Sequence, residues 1–496
     1  MEKGTVGAGI VGIITESLYD KPIVVFREYI QNAVDAIDNA SDDENRNLLA
    51  AHIFVEGKDL FFIDNGTGIE SDIFHRTMTT IADSGKVRHE SIGYKGIGRL
   101  SGIPYCDVLS FINIIDYSEL RYQEFTINCD KYREIQKSEG YNDLDFDKLM
   151  IKIGDFVETS NDGRIISLLQ KHADLFKHRN SGFLVIMKGY SAVLENVISD
   201  ERFMDNLGWL LPSPFKSDLL TQSAADDNHF ELFKELTEPT LEDQYLSLPA
   251  KSFQIYYNGT PILRPLTRDM IRSYLCKSNM DNYAICIHAF SNRKIEIDMR
   301  NNFSGIRVYY DNMLLCDENE LIPALQQYGL IRQGSTYEVI QTVRGIGAMI
   351  FIVDKFSIST NARRTFIDVN DENAFTFLGL IGEFVDSIYT ARYALSGYDA
   401  AVRKGDYDTN KLESLREKAK NALLTLARSD ISLNMEKLEP ADFHTLPLKE
   451  QKRLVKSKIN SMMNAHVSKY LSQSTDDNIE TCFDDFITWL SANLNR

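Results

Sequence analysis

The feature that most constrains this chain is an order: a polar helical stripe, a strand-end turn and a glycine-rich run follow one another along it. In FREYIQNAVDA, Glu28, Asn32 and Asp35 stand at i, i+4 and i+7, so a helix here projects all three from one face. In FFIDNGTGI an apolar run predicts a strand ending at Asp64, with Asn65, Gly66 and Gly68 in the turn beyond. In SIGYKGIGRLSG, Gly93, Gly96, Ile97 and Gly98 lead into Arg99, Leu100 and Ser101, the expected start of a helix. Each segment alone has an ordinary explanation as a solvated face, a turn or tight packing. Those explanations do not account for the order or for the apolar runs that flank it.

The three segments together suit a nucleotide triphosphate with Mg²⁺. Mg²⁺ takes oxygen ligands and keeps several waters, and the Asn32 carbonyl is a suitable neutral donor. One turn earlier, Glu28 can take a proton from a water aimed at the γ-phosphate. Asp35 would face the nucleotide or the hairpin that carries Asp64. Asp64, on an apolar floor, can accept a hydrogen bond from the adenine amino group, where guanine offers a carbonyl. Gly66 and Gly68 allow close backbone approach to base and sugar. The N–H groups of Gly93–Gly98 would cradle phosphate oxygens, with Lys95 adding a positive charge.

These residues resemble the GHKL ATPases, a superfamily that includes DNA gyrase, the ninety-kilodalton heat-shock chaperones, MutL and MORC proteins and histidine kinases. The chaperone branch is the nearest likeness. IITESLYDKPIVVFREYIQNAVDAI is similar to its first helix, linker and Mg²⁺-binding helix, and MTTIADSGK, with Ser84, resembles the opening of its ATP lid. The resemblance implies Glu28 as catalytic base, Asn32 as Mg²⁺ ligand, Asp64 as adenine contact and a lid over about Thr77 to Gly98. Farther on, FSGIRVYYDNMLLCDENELIPAL resembles a middle-domain strand and loop. VRGIGAMIFIVDKFSISTNARRTFIDVND resembles the segment delivering a phosphate-contacting arginine, here Arg363 or Arg364. One departure concerns the adenine-side threonine of the superfamily, whose position falls on Phe183 in Ser181-Gly182-Phe183. Ser181 or a water substitutes, or the loop is shifted.

The expected fold class is α+β multidomain. Residues 1–212 read as an N-terminal α/β sandwich of GHKL type, with helices on one face of a mixed sheet and a HIFVEGKDLFFID hairpin turning near Gly57 and Lys58. Residues 213–250, acidic and poor in strand pattern, read as a connection; 251–371 as an α+β, transducer-like middle domain; 372–496 as a helical C-terminal region. At 496 residues and 43% hydrophobic content the chain can support about three cores.

A net charge of −18 argues against coating nucleic acid. A basic stretch with Lys449, Lys452, Arg453, Lys456, Lys458 and Lys469 is the local exception, expected mainly as a solvated helix face. The six cysteines show no C-x-x-C spacing, so neither a zinc site nor a disulfide frame is expected. No apolar run approaches the roughly 20 residues of a bilayer span and no signal peptide is evident, which makes the cytoplasm the expected location. A histidine kinase lacks its phosphoacceptor helix here, and a topoisomerase lacks room for its cleavage domain.

The functional expectation is an ATP-hydrolysing, heat-shock-chaperone-like clamp with ATP and Mg²⁺ as its cofactors. Its partners would be a protein client and, through the C-terminal helices, a second copy. The alternative is an ATP-gated nucleic-acid or antiviral-defence module resembling MORC and MutL proteins.

Overall fold

The computed structural model describes residues 21–40, 48–79, 98–137, 150–156, 163–215, 254–265, 274–280, 284–290, 305–331, 339–340, 346–353, 358–361, 366–368, 373–405, 408–427 and 430–431. Ser84, Gly93, Lys95, Gly96, Ile97, Arg363, Arg364 and the basic stretch 449–469 lie outside the described residues.

The first unit begins with helix α1, Val24–Ala40. Pro22 lies in the turn just ahead of it, where a fixed φ favours helix entry. Val25, Phe26, Ile30, Val34 and Ile37 are buried along one flank, each at 0% exposure. Strands β1 (Ala50–Glu56) and β2 (Asp59–Asp64) form the expected hairpin, its turn made possible by Gly57 at φ +61°. There follow α2 (Phe74–Thr79), a 3₁₀ helix (Gly98–Tyr105), β3 (Val108–Asp116), β4 (Arg121–Asn128) and α3 (Cys129–Lys137). Next come β5 (Met150–Phe156), α4 (Gly163–Lys171), a 3₁₀ turn (Ala173–Phe176), β6 (Gly182–Lys188), α5 (Ala192–Ile198) and α6 (Phe203–Leu210).

β7 (Gln254–Tyr257) and β8 (Thr260–Pro261) complete an eight-stranded sheet of order β5-β4-β3-β6-β2-β1-β7-β8. Its ladders are antiparallel except the parallel β1/β7 pair. Residues 254–261 therefore belong to the first sheet and not to the middle domain assigned from sequence. The free edge of β1 is what they pair with, a partner invisible in local composition.

Alternation along the strands sorts side chains onto two faces. Ile53, Leu60, Phe62, Leu109, Phe111, Phe125, Val185 and Met187 form a core with α1, the 98–105 helix and α6. Phe54, Phe61, Ile63, Ile112, Tyr122, Leu184 and Ile186 form another with α4 and the 173–176 turn. Helices thus cover both faces, where one was expected. Ile165, Leu168 and Leu169 give α4 an apolar stripe that must be buried, and each fully buried side chain of this size contributes about 1.5–3 kcal/mol.

The second unit has a six-stranded mixed sheet, β12-β11-β13-β10-β9-β14. Its strands are β9 (Tyr274–Met280), β10 (Ala284–Phe290), β11 (Gly305–Tyr310), β12 (Met313–Asp317), β13 (Ile346–Ile352) and β14 (Asp430–Ile431). Helix α7 (Glu318–Gln327) follows β12 directly, started by an Asp317/Glu320 capping box. Helix α8 (Ala374–Lys404) ends on Gly405 at φ +63°, and α9 (Thr409–Ala427) follows.

Phe377, Ile381, Phe384, Val385 and Ile388 of α8 share one core with Ile306, Val308 and Ile350 of the sheet. The start of the region expected as a separate helical domain is therefore part of the second unit's core. No helix among the described residues is long and apolar enough to cross a membrane.

On the α4 face of the first sheet, His52 packs 4.7 Å from Tyr256, and His172 stacks at 4.4 Å on Phe54. The two imidazoles are 6.3 Å apart, with Lys171 and Glu56 also near His172. Burial, with a smaller contribution from His172, lowers the His52 pKa from 6.5 to about 4. The unfolded chain takes up this proton at higher pH than the folded chain does. The associated stability is full above about pH 6.5 and is lost as pH falls toward about 4. The denaturant midpoint of the protein should fall between about pH 7 and pH 5, and His52→Gln should shrink that fall. An undiminished fall in the variant would remove His52 as its source.

Candidate functional site

Helix α1 brings the motifs together. Glu28 and Asp35 are each 4% exposed, with half-buried Asn32 between them on the same helical face. The two oxygens of Glu28 have different neighbours. Oε1 pairs with Arg27 Nη2 at 3.2 Å, while Oε2 lies against Gly98, so closely that a Cβ on residue 98 would collide with it. The last glycine of the glycine-rich run is thus packed on the carboxylate of the polar stripe. Tyr29 secures this approach: its hydroxyl donates to the Arg99 carbonyl at 3.1 Å and accepts from the Gly102 N–H at 3.0 Å. Burial raises the Tyr29 pKa well above the ordinary phenol value, so the hydroxyl keeps its proton.

The strand-end turn meets the same helix. Asp64, 5% exposed, closes β2 on the α1 face, and its Oδ1 accepts the Gly66 N–H at 2.9 Å. Gly66 sits against Ala36, where a Cβ would come within 2.7 Å of the α1 backbone, and Thr67 N–H donates to the Ala36 carbonyl at 3.1 Å. Gly68, at φ +65°, passes over Asn113.

Asn65 corrects the sequence expectation. Alternation turns it to the opposite face from Asp64, and it is 0% exposed. Its Oδ1 accepts the Ala50 N–H at 2.9 Å, and its Nδ2 donates to the carbonyls of Leu175 at 2.8 Å and Leu48 at 3.2 Å. It clamps β1 to the 173–176 turn, with both amide N–H groups engaged on that side of the sheet.

Ladder registers place Asp64, Phe183, Asn113 and Gln123 in one row across β2, β6, β3 and β4. Phe183 is directly opposite Asp64 in the ladder, and its half-buried ring occupies the position beside the carboxylate. Ser181 is engaged elsewhere: it donates to the Gly66 carbonyl at 3.0 Å and accepts from Arg179 Nε at 3.0 Å. Asn113 exchanges hydrogen bonds with Ile69, accepting from its N–H at 2.8 Å and donating to its carbonyl at 2.7 Å. Asn113 also donates to Gln123 at 3.0 Å, and Gln123 donates to the Ser71 carbonyl at 2.8 Å. This amide pair fixes the loop beyond Asp64.

No three His, Cys, Asp or Glu side chains gather as a metal cluster among the described residues. The half-buried Asn32 amide is a neutral oxygen donor on this face, of the kind that suits a cation keeping most of its water.

A second stripe of α1 faces the other unit. Arg27 and Gln31, one turn apart, line a small crevice with Tyr310, Met313, Leu314, Leu315 and Thr360. Gln31 is 2% exposed and its Nε2 has no partner among the described residues. Thr360 pairs with Ile367 in an antiparallel bridge, and Asn361 N–H donates to the Phe366 carbonyl at 2.9 Å. The stem of the 361–366 hairpin therefore stands beside α1, while Arg363 and Arg364 lie outside the described residues.

Sequence reasoning missed Tyr29, Asn113, Gln123 and Arg179. Tyr29 had a signal, as a large amphipathic side chain next to Glu28. The others depend on strand pairing and left none. Compared with known protein families and with characterised proteins, the chain matches none.

Tyr29→Phe should leave the Gly102 amide without its acceptor and lower stability by about 1–3 kcal/mol in denaturant melts. An unchanged melt would show that the phenol does not hold the 98–105 helix.

Proposed function

We propose that the chain is an ATPase of GHKL type that couples hydrolysis to closure of a clamp on a protein client. The observation that carries this reading is the convergence of three sequence-separate segments on α1, with Gly98 against Glu28, Gly66 against Ala36 and Asp64 closing β2 on the same face. A solvated helix and two unrelated turns have no reason to converge in this way.

In this reading Asp64 accepts from the adenine amino group, with its geometry fixed by Gly66 N–H and the Asn113–Gln123 pair. Phe183 gives the base an apolar neighbour at the position of the superfamily's threonine. Asn32 would ligate Mg²⁺, which when bound neutralises charge on the phosphates. Glu28 Oε2, the oxygen turned toward Gly98, accepts the proton of the attacking water. Burial sharpens this electrostatic control, because charges in a water-poor site interact more strongly. Arg363 or Arg364 would bring positive charge to the γ-phosphate from the second unit. A protein client is favoured over nucleic acid by the net charge of −18.

Glu28→Ala should retain ATP binding and lose about 10²-fold or more in turnover. Asp64→Asn should weaken ATP binding by about tenfold or more through loss of a charged acceptor. Normal turnover in Glu28→Ala would reject the base. Of Arg363→Ala and Arg364→Ala, one should slow hydrolysis; if neither does, the interdomain arginine is wrong. Sedimentation with a non-hydrolysable ATP analogue should show nucleotide-dependent self-association without duplex DNA retention. Salt-sensitive DNA retention would instead favour the gated nucleic-acid module.

A further inference from the structure

The two units exchange side chains. Met313, at the β11–β12 turn of the second unit, is 4% exposed and belongs to the α1-side core of the first unit, with Leu314 packed beside it. In the other direction Arg264, just beyond β8, is 2% exposed, and its guanidinium lies over the rings of Tyr309 at 4.5 Å, Phe351 at 5.0 Å and Phe215 at 5.3 Å. Tyr309 and Phe351 are register partners on β11 and β13, with rings stacked at 4.9 Å. Arg264 Nη2 donates to the Asn312 carbonyl at 2.7 Å, and its backbone N–H donates to the Pro214 carbonyl at 2.7 Å. Asp311 and Asn312, both left-handed at φ +49° and +64°, shape the turn that presents that carbonyl. A second cation, Arg307 of β11, stacks 4.5 Å from Trp209 of α6.

Arg264 has no carboxylate partner among the described residues. A buried cation held by rings and one carbonyl is a costly way to fill space that Met or Leu could fill. What it adds is direction: a planar group with a fixed donor sets the angle and register of the two strands it covers. Those strands matter to the site. The crevice facing Arg27 and Gln31 is lined by Tyr310, Met313, Leu314 and Leu315 of the β11–β12 hairpin together with Thr360 of the 359–368 stem.

We propose that Arg264 is a positioning residue, which fixes β11 and β13 to the first unit and so holds the 359–368 stem opposite Arg27 and Gln31. This rests on the ATPase reading above, because Arg27, which lines that crevice, holds the Glu28 carboxylate.

The test uses the full chain with Arg264→Met, Arg264→Lys and Tyr309→Phe, measuring ATP affinity, kcat and thermal unfolding. Arg264→Met should bind ATP within about twofold of wild type while kcat falls about tenfold or more, the split expected when only the transition state loses a contact. It should also unfold in two transitions where wild type shows one. Arg264→Lys, which keeps a cation and a donor, should recover most of the kcat. Tyr309→Phe, which removes a hydroxyl without a partner and keeps the ring, should retain wild-type turnover.

Wild-type kcat in Arg264→Met, or a fall in ATP affinity matching the fall in kcat, overturns the positioning role. A wild-type protein that neither binds nor hydrolyses ATP would sink the ATPase reading. The melts then still decide whether Arg264 joins the units, a single transition in Arg264→Met overturning that too.

Discussion

The arrangement depends on one steric fact, the close approach of two backbone segments to a single helix. Gly98 lies on the Glu28 carboxylate, which a Cβ there would displace, and Gly66 lies on the Ala36 backbone, which leaves no room for a Cβ. The approach is secured by hydrogen bonds outside the polar stripe: Tyr29 holds the 98–105 helix, and the Ala36 carbonyl holds Thr67. The site is best understood as a sheet end and a helix start docked on α1.

The same helix is read from two sides. Its Glu28, Asn32 and Asp35 stripe faces the turns, and its Arg27 and Gln31 stripe faces the second unit. Arg27 belongs to both, since its guanidinium holds Glu28 Oε1 while lining the crevice. One side chain thus connects the crevice lined by the β11–β12 hairpin and Thr360 with the carboxylate. Coupling through a shared rigid helix needs only two discrete placements of the second unit.

What was legible in the sequence was local. The helix at 24–40 and the hairpin with its turn at Gly57 followed from periodicity and glycine placement, and the segments carrying Glu28 and Gly98, grouped by their order in the sequence, are in contact. What was not legible came from pairing across distance. Nothing near Gln254 announces that β7 will add to β1, and nothing near Asn65 announces that strand alternation commits its amide to Leu48, Ala50 and Leu175. An Asp-Asn pair at a strand end looks like two ligands in sequence, yet on a pleated strand adjacent residues face opposite ways. The helical pattern of α8 was read correctly, but its burial partner, the second sheet, could not be read from period alone.

Phe183 shows how a departure from a family pattern acquires physical content. From sequence it could equally have marked a slipped loop. In the sheet, Phe183 pairs with Asp64 and Asn113, in one row with the Gln123 that anchors Ser71. A one-residue slip would have turned the ring to the α4 face and brought Leu184 beside Asp64. The polar groups of this row are therefore Asp64 on one side of the ring and the Asn113–Gln123 pair on the other, with the apolar ring between them.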